Sequence, residues 1–255
     1  MALMIKFPLT SKNSLRTLSV VTKSVANFAL DLIMPCECVS CGALGVWFCD
    51  DCVSPLLLEV PEKCVFCGNP SYNGKTHGEC LTHTCLDGIV VASHFHPTLR
   101  RAMHLFKYHN ARSMAEVFSR IILSRIENTP TVYVRFLSEQ TTLIPVPLHK
   151  RRLWERGYNQ SSLMAREISK EYPVTVREDL LIRIRNTNPQ ARLSKSARLA
   201  NMSNVFSVPD NIGEIPDEVI IVDDVMTTGA TIGDAARALK CAGVRSVWGL
   251  VVVRE

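Results

Sequence analysis

The sequence predicts an α/β protein built on a parallel sheet and preceded by a small cysteine-rich module, and three observations carry that reading. A four-residue apolar run, Val219-Ile220-Ile221-Val222, is followed by a helical pattern over about 231–241 and a second apolar run over 246–253. Strand, helix, strand in this order implies parallel pairing, and an unbroken apolar run implies burial on both faces. Eight of the ten cysteines fall between Cys38 and Cys85, six of them in C-x-x-C pairs. The 255 residues are 47% hydrophobic and 21% charged, which excludes disordered and collagen-like chains and leaves room for one large domain or two smaller ones.

Residues 1–35 form a basic extension. Lys6, Lys12, Arg16 and Lys23 are scattered among serines, and no Asp or Glu occurs in the first 30 residues. That pattern is shared with organellar transit peptides and is unlike a secretory signal. Leu18, Val21, Val25, Phe28 and Leu32 fit one helical face, so the extension reads as a loose arm with an amphipathic docking helix. Lys23 and Asp31 interrupt its longest apolar stretch, and no run approaches the ~18 apolar residues of a membrane span.

Residues 36–87 are rich in Cys, Gly, Pro and Asn with little apolar periodicity, so this zone needs metal staples in place of a large core. From 88 the pattern changes. Ile89-Val90-Val91 predicts a strand; Leu99 to Tyr108 and Met114 to Ile126 carry helical spacing. Thr141 to Val146 predicts a short strand, Asn159 to Lys170 a helix and Val174 to Val176 another strand, before the closing strand, helix and strand already described, with Gly243 ending the last helix.

The cysteine spacing points to zinc in a reducing, cytoplasmic compartment rather than to disulfides. Cys38-x2-Cys41 and Cys49-x2-Cys52 supply the four thiolates of a tetrahedral site, with Gly42 placed for a turn of positive φ. Cys64-x2-Cys67 with Gly68, then Cys80 and Cys85, repeat the arrangement, so the zone reads as a double zinc ribbon. His77 and His83 lie close enough to replace one of the last two cysteines. Four protein ligands per ion make both sites structural. Cys36 and Cys241 lack partner spacing and read as small buried apolar side chains.

The second constellation is Val219 through Thr231. A buried strand delivers Asp223 and Asp224, and a turn of Thr227, Thr228, Gly229, Ala230 and Thr231 leads into a helix. Backbone N–H groups at that helix start, the Thr hydroxyls and the helix dipole can enclose a phosphate monoester. The two aspartates would repel that phosphate directly, so their use is to accept hydrogen bonds from sugar hydroxyls or to help arrange Mg2+. A phosphorylated ribose meets both demands. No Walker A loop and no G-x-G-x-x-G occurs. Between Leu148 and Asn204 the chain carries a charge of +7 against +5 for the whole, which indicates a polyanionic partner or substrate.

This run resembles the 5-phosphoribosyl-1-pyrophosphate (PRPP) motif of type I phosphoribosyltransferases. Upstream, Pro145 to Gln160, then Arg185 to Gln190 with Arg198 and Asn201, together with the cysteine-rich ribbon, resemble the ComF family of competence and DNA-utilisation proteins from about residue 28 onward. The resemblance implies a type I phosphoribosyltransferase-like domain over 88–255. It implies a pyrophosphate loop at Leu148, His149, Lys150 and Arg151, and a mobile loop carrying Arg185, Gln190 and Arg198. It also implies a role in DNA uptake, natural transformation or DNA utilisation, with PRPP and Mg2+ at the site. A phosphoribosyl transfer there would displace pyrophosphate from the ribose C1, with Asp223 or Asp224 as candidate proton shuttles. The alternative is a non-catalytic adaptor that binds single-stranded DNA or a helicase-like partner through the ribbon and the basic face. Any hood over the acceptor must come from 88–140 or from the ribbon; Phe106, Tyr108 and His109 lie there at a spacing more typical of core.

Overall fold

A computed structural model describes residues 36–57, 60–109, 111–129, 138–185 and 204–255. The amphipathic helix expected near residues 18–32, and Gln190 and Arg198, lie outside the described residues. The chain forms two compact units, 1–49 and 50–255.

In the smaller unit, 36–49 folds as a tight knuckle. Glu37 bridges Leu44 in antiparallel fashion, the Cys38 N–H donates to Ala43 O and the Gly42 N–H donates to Cys38 O. Gly42 has φ 79°, the left-handed turn that glycine adopts without steric cost. The larger unit contains a second knuckle of the same construction. Lys63 bridges Pro70, the Cys64 N–H donates to Asn69 O, the Gly68 N–H donates to Cys64 O, and Gly68 has φ 76°. The two halves inferred from cysteine spacing are therefore duplicates at the level of backbone hydrogen bonds.

The larger unit is organised by five parallel strands in the order β1-β7-β6-β2-β3: β1 (Gly88–Ser93), β2 (Thr142–Pro145), β3 (Thr175–Val176), β6 (Glu218–Met226) and β7 (Ser246–Arg254). A separate antiparallel pair, β4 (Ile182–Arg183) and β5 (Phe206–Ser207), brackets the segment 186–203. The helices are α1 (Pro97–Tyr108), α2 (Met114–Glu127), α3 (Lys150–Arg156), α4 (Gln160–Glu171) and α5 (Ala230–Cys241). Among the described residues, each helix or strand expected from periodicity is present with its ends within two residues of those expected, except β6, which runs four residues past Val222 to Met226. Of the elements named, three were not anticipated: α3, which the basic run disguises as a loop, and the two-residue strands β4 and β5.

Burial follows the pleat. Ile144, Val219, Ile221, Val247 and Val251 join α5 residues Ile232, Ala235, Ala236 and Leu239 in one core cluster. Alternation places Leu143, Ile220, Val222 and Leu250, all buried, on the opposite side. The helices α2 and α4 pack against each other and on the sheet. Close approach of α5 depends on Gly249, where a Cβ would stand 2.8 Å from the Ile232 side chain.

The second knuckle is fastened to this sheet. Arg254 donates to Cys64 O and Val65 O, the Thr76 N–H donates to Asp87 O, and the Asp87 carboxylate accepts from the Val247 N–H and pairs with Lys240. Asp234 of α5 holds the start of β5: its buried carboxylate accepts the N–H groups of Asn204, Val205 and Phe206 at 3.0, 2.7 and 3.1 Å. Asp234→Ala leaves those donors without their acceptor and is expected to destabilise the fold by on the order of 3 kcal/mol in urea unfolding, with Asp234→Asn intermediate.

Candidate functional site

Two cysteine-rich groups can hold metal ions. Cys38, Cys41, Cys49 and Cys52 bring their sulfurs within 4.8 Å of one another. The second group is Cys64, Cys67, His77 and Cys80, equally close. Cys85, expected as the fourth ligand, is replaced by His77. The cause is local: Thr76 is tied to Leu86 O and Asp87 O, which brings His77 back to the knuckle, while Cys85 packs against the main core cluster. His77 Nδ1 lies 3.4 Å from Cys67 Sγ and Nε2 lies 3.2 Å from Pro70 O. With Nε2–H donating to that carbonyl, Nδ1 presents its lone pair to the sulfurs, as a ligating histidine requires. His83 instead stacks on Phe66 at 4.7 Å.

The thiols show the crowding of a ligand set. Burial works against ionisation of Cys64, but backbone hydrogen bonds at His77, Cys67 and Phe66 outweigh it and pull the thiol down to about 7; the same balance takes Cys38 to about 6. Cys80 is pushed up to about 12 by burial and by the neighbouring Cys67 and Cys64 sulfurs. A divalent cation held by these residues would supply the charge that lets all the sulfurs ionise together. Elemental analysis of His77→Ala is expected to show the loss of one of two metal ions, and of Cys85→Ser to show both retained.

The acidic pair and the turn sit at the carboxyl end of the sheet, on a cleft of about 1040 Å³. β6 carries Asp223 and Asp224 to this edge, and the chain turns at Gly229, φ 75°, into α5. Gly229 is the N-cap of α5 and contributes no side chain to the first-turn N–H groups, while Thr228 Oγ1 accepts from the Ala230 N–H. Thr227, Gly229, Ala230 and Thr231 line the cleft. Asp223 Oδ1 accepts from Ser161 Oγ and from the Asp224 N–H, and Asp224 Oδ1 accepts from the Val225 N–H. Asp224 Oδ2 lacks an aligned hydrogen bond and instead faces Lys107 Nζ at 2.6 Å.

The residues implied as the pyrophosphate loop divide. Leu148 lines the cleft; the His149 ring caps α3 by accepting from the Arg151 N–H, Arg151 pairs with Glu155, and Lys150 is an exposed first residue of the helix. Arg152, the next residue of the helix, and Arg156, one turn beyond it, reach the cleft instead. Arg185, just past β4, is exposed, whereas Arg183 lines the cleft. Burial and the nearby Arg152 pull the Arg183 guanidinium down to about 10, with Asp223 and Asp234 opposing; burial and Arg156 likewise depress Arg152. Arginine stays protonated in proteins, so these shifts register cations crowded in a partly dry wall. Asn159 is a helix cap, accepting from the Ser161 N–H, and its amide also donates to Val146 O. Phe106 is core, but Tyr108 is 62% exposed in the cleft with Arg156 over its ring.

Sequence reasoning missed Lys107, Ser161, Arg183 and the pair Arg100–Arg101. None carried a distinguishing local signal: Arg100, Arg101 and Lys107 are all cations at the polar positions of one helical stretch, 99–108.

No family model matches the chain. Competence protein F of Haemophilus influenzae is 31% identical over 192 residues, which cover 73% of this chain and 83% of that protein. The chain belongs to the ComF family. Other ComF relatives agree over similar lengths: the DNA utilization protein YhgH of Escherichia coli O157:H7, 29% identical across 85% of this chain and 96% of its own, and competence protein ComFC of Bacillus subtilis, 26% identical across 78% and 81%. Among the described residues no helix is long and apolar enough to cross a membrane.

The acidic pair of this ComF protein is held under electrostatic stress. Burial first, and then the Asp224 charge, push the Asp223 carboxyl up to about 7, against the opposing pull of Lys107 and hydrogen bonds at Asp224 and Ser161. An unconstrained aspartate ionises near ~4, so the folded chain holds this proton more tightly than the unfolded chain does. The contribution of Asp223 to stability therefore falls as pH rises from about 4 to about 7 and is level above that. Asp223→Asn is expected to stabilise the fold more at pH 8 than at pH 5, by a difference on the order of 2 to 3 kcal/mol, read by circular dichroism melts at both pH values.

Proposed function

We propose that this ComF-family protein acts in the cytoplasm in DNA uptake or DNA utilisation, and that its cleft binds PRPP or another phosphorylated ribose. The observation that carries the reading is the passage from β6 through Asp223, Asp224 and the Thr227–Thr231 turn into the N-terminus of α5, opening on a cleft with a cationic wall. The turn and the first N–H groups of α5 take the 5-phosphate. Asp223 and Asp224 take the ribose hydroxyls. Leu148 with Arg152, Arg156 and Arg183 takes the pyrophosphate end, where planar guanidinium groups match phosphate oxygens. Lys150 and Arg151 extend that positive field from outside the cleft.

The reaction this geometry serves is displacement of pyrophosphate from the ribose C1 by a nitrogen nucleophile, with an oxocarbenium-like transition state. The protein's part is positioning and charge stabilisation. Mg2+, arriving with PRPP, supplies neutralisation of the departing pyrophosphate. Both cysteine-rich groups hold zinc in closed, structural sites, since four protein ligands leave no position for water.

A second reading, an adaptor that engages single-stranded DNA or a helicase-like partner, draws on one observation. Trp154 is 86% exposed on α3 among Lys150, Arg151 and Arg152, an aromatic platform within a basic surface.

Calorimetric titration of Mg2+-PRPP at fixed salt separates the two. The expected result is micromolar binding by the wild type, lost in Asp223→Asn/Asp224→Asn and in Gly229→Val, whose branched side chain is strained at φ 75°. Absence of PRPP binding in the wild type, with salt-sensitive binding of a single-stranded oligonucleotide that the aspartate variant retains, would favour the adaptor.

A further inference from the structure

The acidic pair has two uses open to it: accepting sugar hydroxyls or holding a divalent cation. Neighbouring carboxylates at a sheet edge are ordinarily suited to the second, since Mg2+ is commonly bound through one or two of them. Here the position is already taken. Lys107 comes from α1, more than 100 residues before the pair in sequence, and places Nζ 2.6 Å from Asp224 Oδ2. Two of the other three oxygens are committed as well: Asp224 Oδ1 accepts from the Val225 N–H, and Asp223 Oδ1 accepts from Ser161 Oγ and the Asp224 N–H, which leaves Asp223 Oδ2 to receive a ligand. The Lys107 side chain is 25% exposed and that of Asp224 is 10% exposed, so this ion pair is neither a solvated surface contact nor sealed in the core. It stands in the wall of the cleft, with Arg100, Arg101, Arg152 and Arg183 in the same lining.

We infer that Lys107 is a specificity-determining residue: its ammonium is the resident counter-charge of Asp224, so the acidic pair receives the hydroxyls of an incoming sugar and rejects a free divalent cation. A divalent ion approaching Asp224 must displace a fixed positive charge and then remain beside it, inside a lining that is already cationic. A hydroxyl carries no charge, can donate to Asp223 Oδ2, and can share Asp224 with the ammonium. Mg2+ therefore reaches the cleft on the pyrophosphate oxygens of its ligand and not ahead of it. The inference rests on the sugar-phosphate reading of the same cleft for the identity of the hydroxyls, whereas exclusion of the free cation is a property of the protein alone.

The test uses Mn2+ as probe on the full, zinc-loaded chain, with bound and free ion distinguished by electron paramagnetic resonance. Wild type is expected to show no cleft site tighter than millimolar. Lys107→Met is expected to gain one, at least about tenfold tighter, as removal of a charge in direct contact requires. Adding Asp224→Asn abolishes the gained site, and Lys107→Arg excludes Mn2+ as wild type does. Lys107→Gln carries the same test if the Met variant loses its cooperative unfolding transition. Unchanged Mn2+ affinity in the folded neutral variants overturns the assignment and reduces Lys107 to a structural ion pair. Mg2+-PRPP titrated into wild type in parallel keeps the two readings apart: no PRPP binding with Mn2+ exclusion intact overturns the ligand, and PRPP binding with no gain of a Mn2+ site overturns the role of Lys107.

Discussion

Two ionisable carboxylates side by side at the end of a buried strand are the constraint around which the larger unit is arranged. β6 lies between β7 and β2 with apolar residues on both faces, so Asp223 and Asp224 emerge from the driest part of the protein. Their mutual repulsion must be met by donors, which the strand's own side chains lack. Three elements supply them: α1 through Lys107, α4 through Ser161, and the backbone of β6 through the N–H groups of Asp224 and Val225. The helices are themselves locked in register, since Gln160 of α4 donates to the carbonyl of Phe106, the residue before Lys107, and the adjacent Tyr158 hydroxyl donates to the same oxygen. These hydrogen bonds between the start of α4 and the end of α1 thus set the electrostatics of the pair.

The cysteine-rich segment answers a different shortage. Its second half has few large apolar residues, and its buried ones, Val65 and Leu86, belong to the core of the sheet domain. Its attachment to the sheet is polar: Arg254 to the knuckle carbonyls, and Asp87 between the end of the segment and β7. Arg254 sits in partly dry surroundings that lower its affinity for a proton, first through burial, with the Cys64 and Cys67 sulfurs opposing. Negative charge on those sulfurs stabilises the arginine that clamps them, so ligand ionisation and attachment of the knuckle reinforce each other. A structural metal here would order the edge of the sheet as well as its own loop.

What could be read from the sequence follows the range of the interactions. The strands of the parallel sheet, α5 and the Thr-rich turn were legible because each is specified by neighbours within a few positions: an apolar run, a helical period, a glycine at the φ its turn needs. Both knuckles were legible for the same reason. Lys107 was not, because a lysine at the polar edge of a helix has the same local pattern whether it faces solvent or an aspartate on another strand. His77 and Cys85 were both within reach of the second group, and the choice between them depends on the tether of Thr76 to Leu86 and Asp87, which spacing does not encode. α3 was hidden by its charge, although Gly157 at its C-terminus, with φ 74° and its N–H bonded to Leu153 O, is the helix-stop signal that could have revealed it.

The cleft carries unfavourable electrostatics of both signs a short distance apart. On one wall a carboxyl keeps its proton to about 7 because it is buried and its neighbour is charged; on the other, guanidinium groups that cannot release theirs are crowded together. The two do not cancel, because the acids are already occupied by Lys107, Ser161 and backbone donors. A simple anion would relieve the guanidinium wall and worsen the acidic one; a simple cation would do the reverse. A ligand relieves both only if it brings neutral donors to the aspartates and negative charge to the arginines, with the two joined at a fixed spacing. That requirement, and not the size of the cavity, is the physical ground for proposing a sugar phosphate as its occupant.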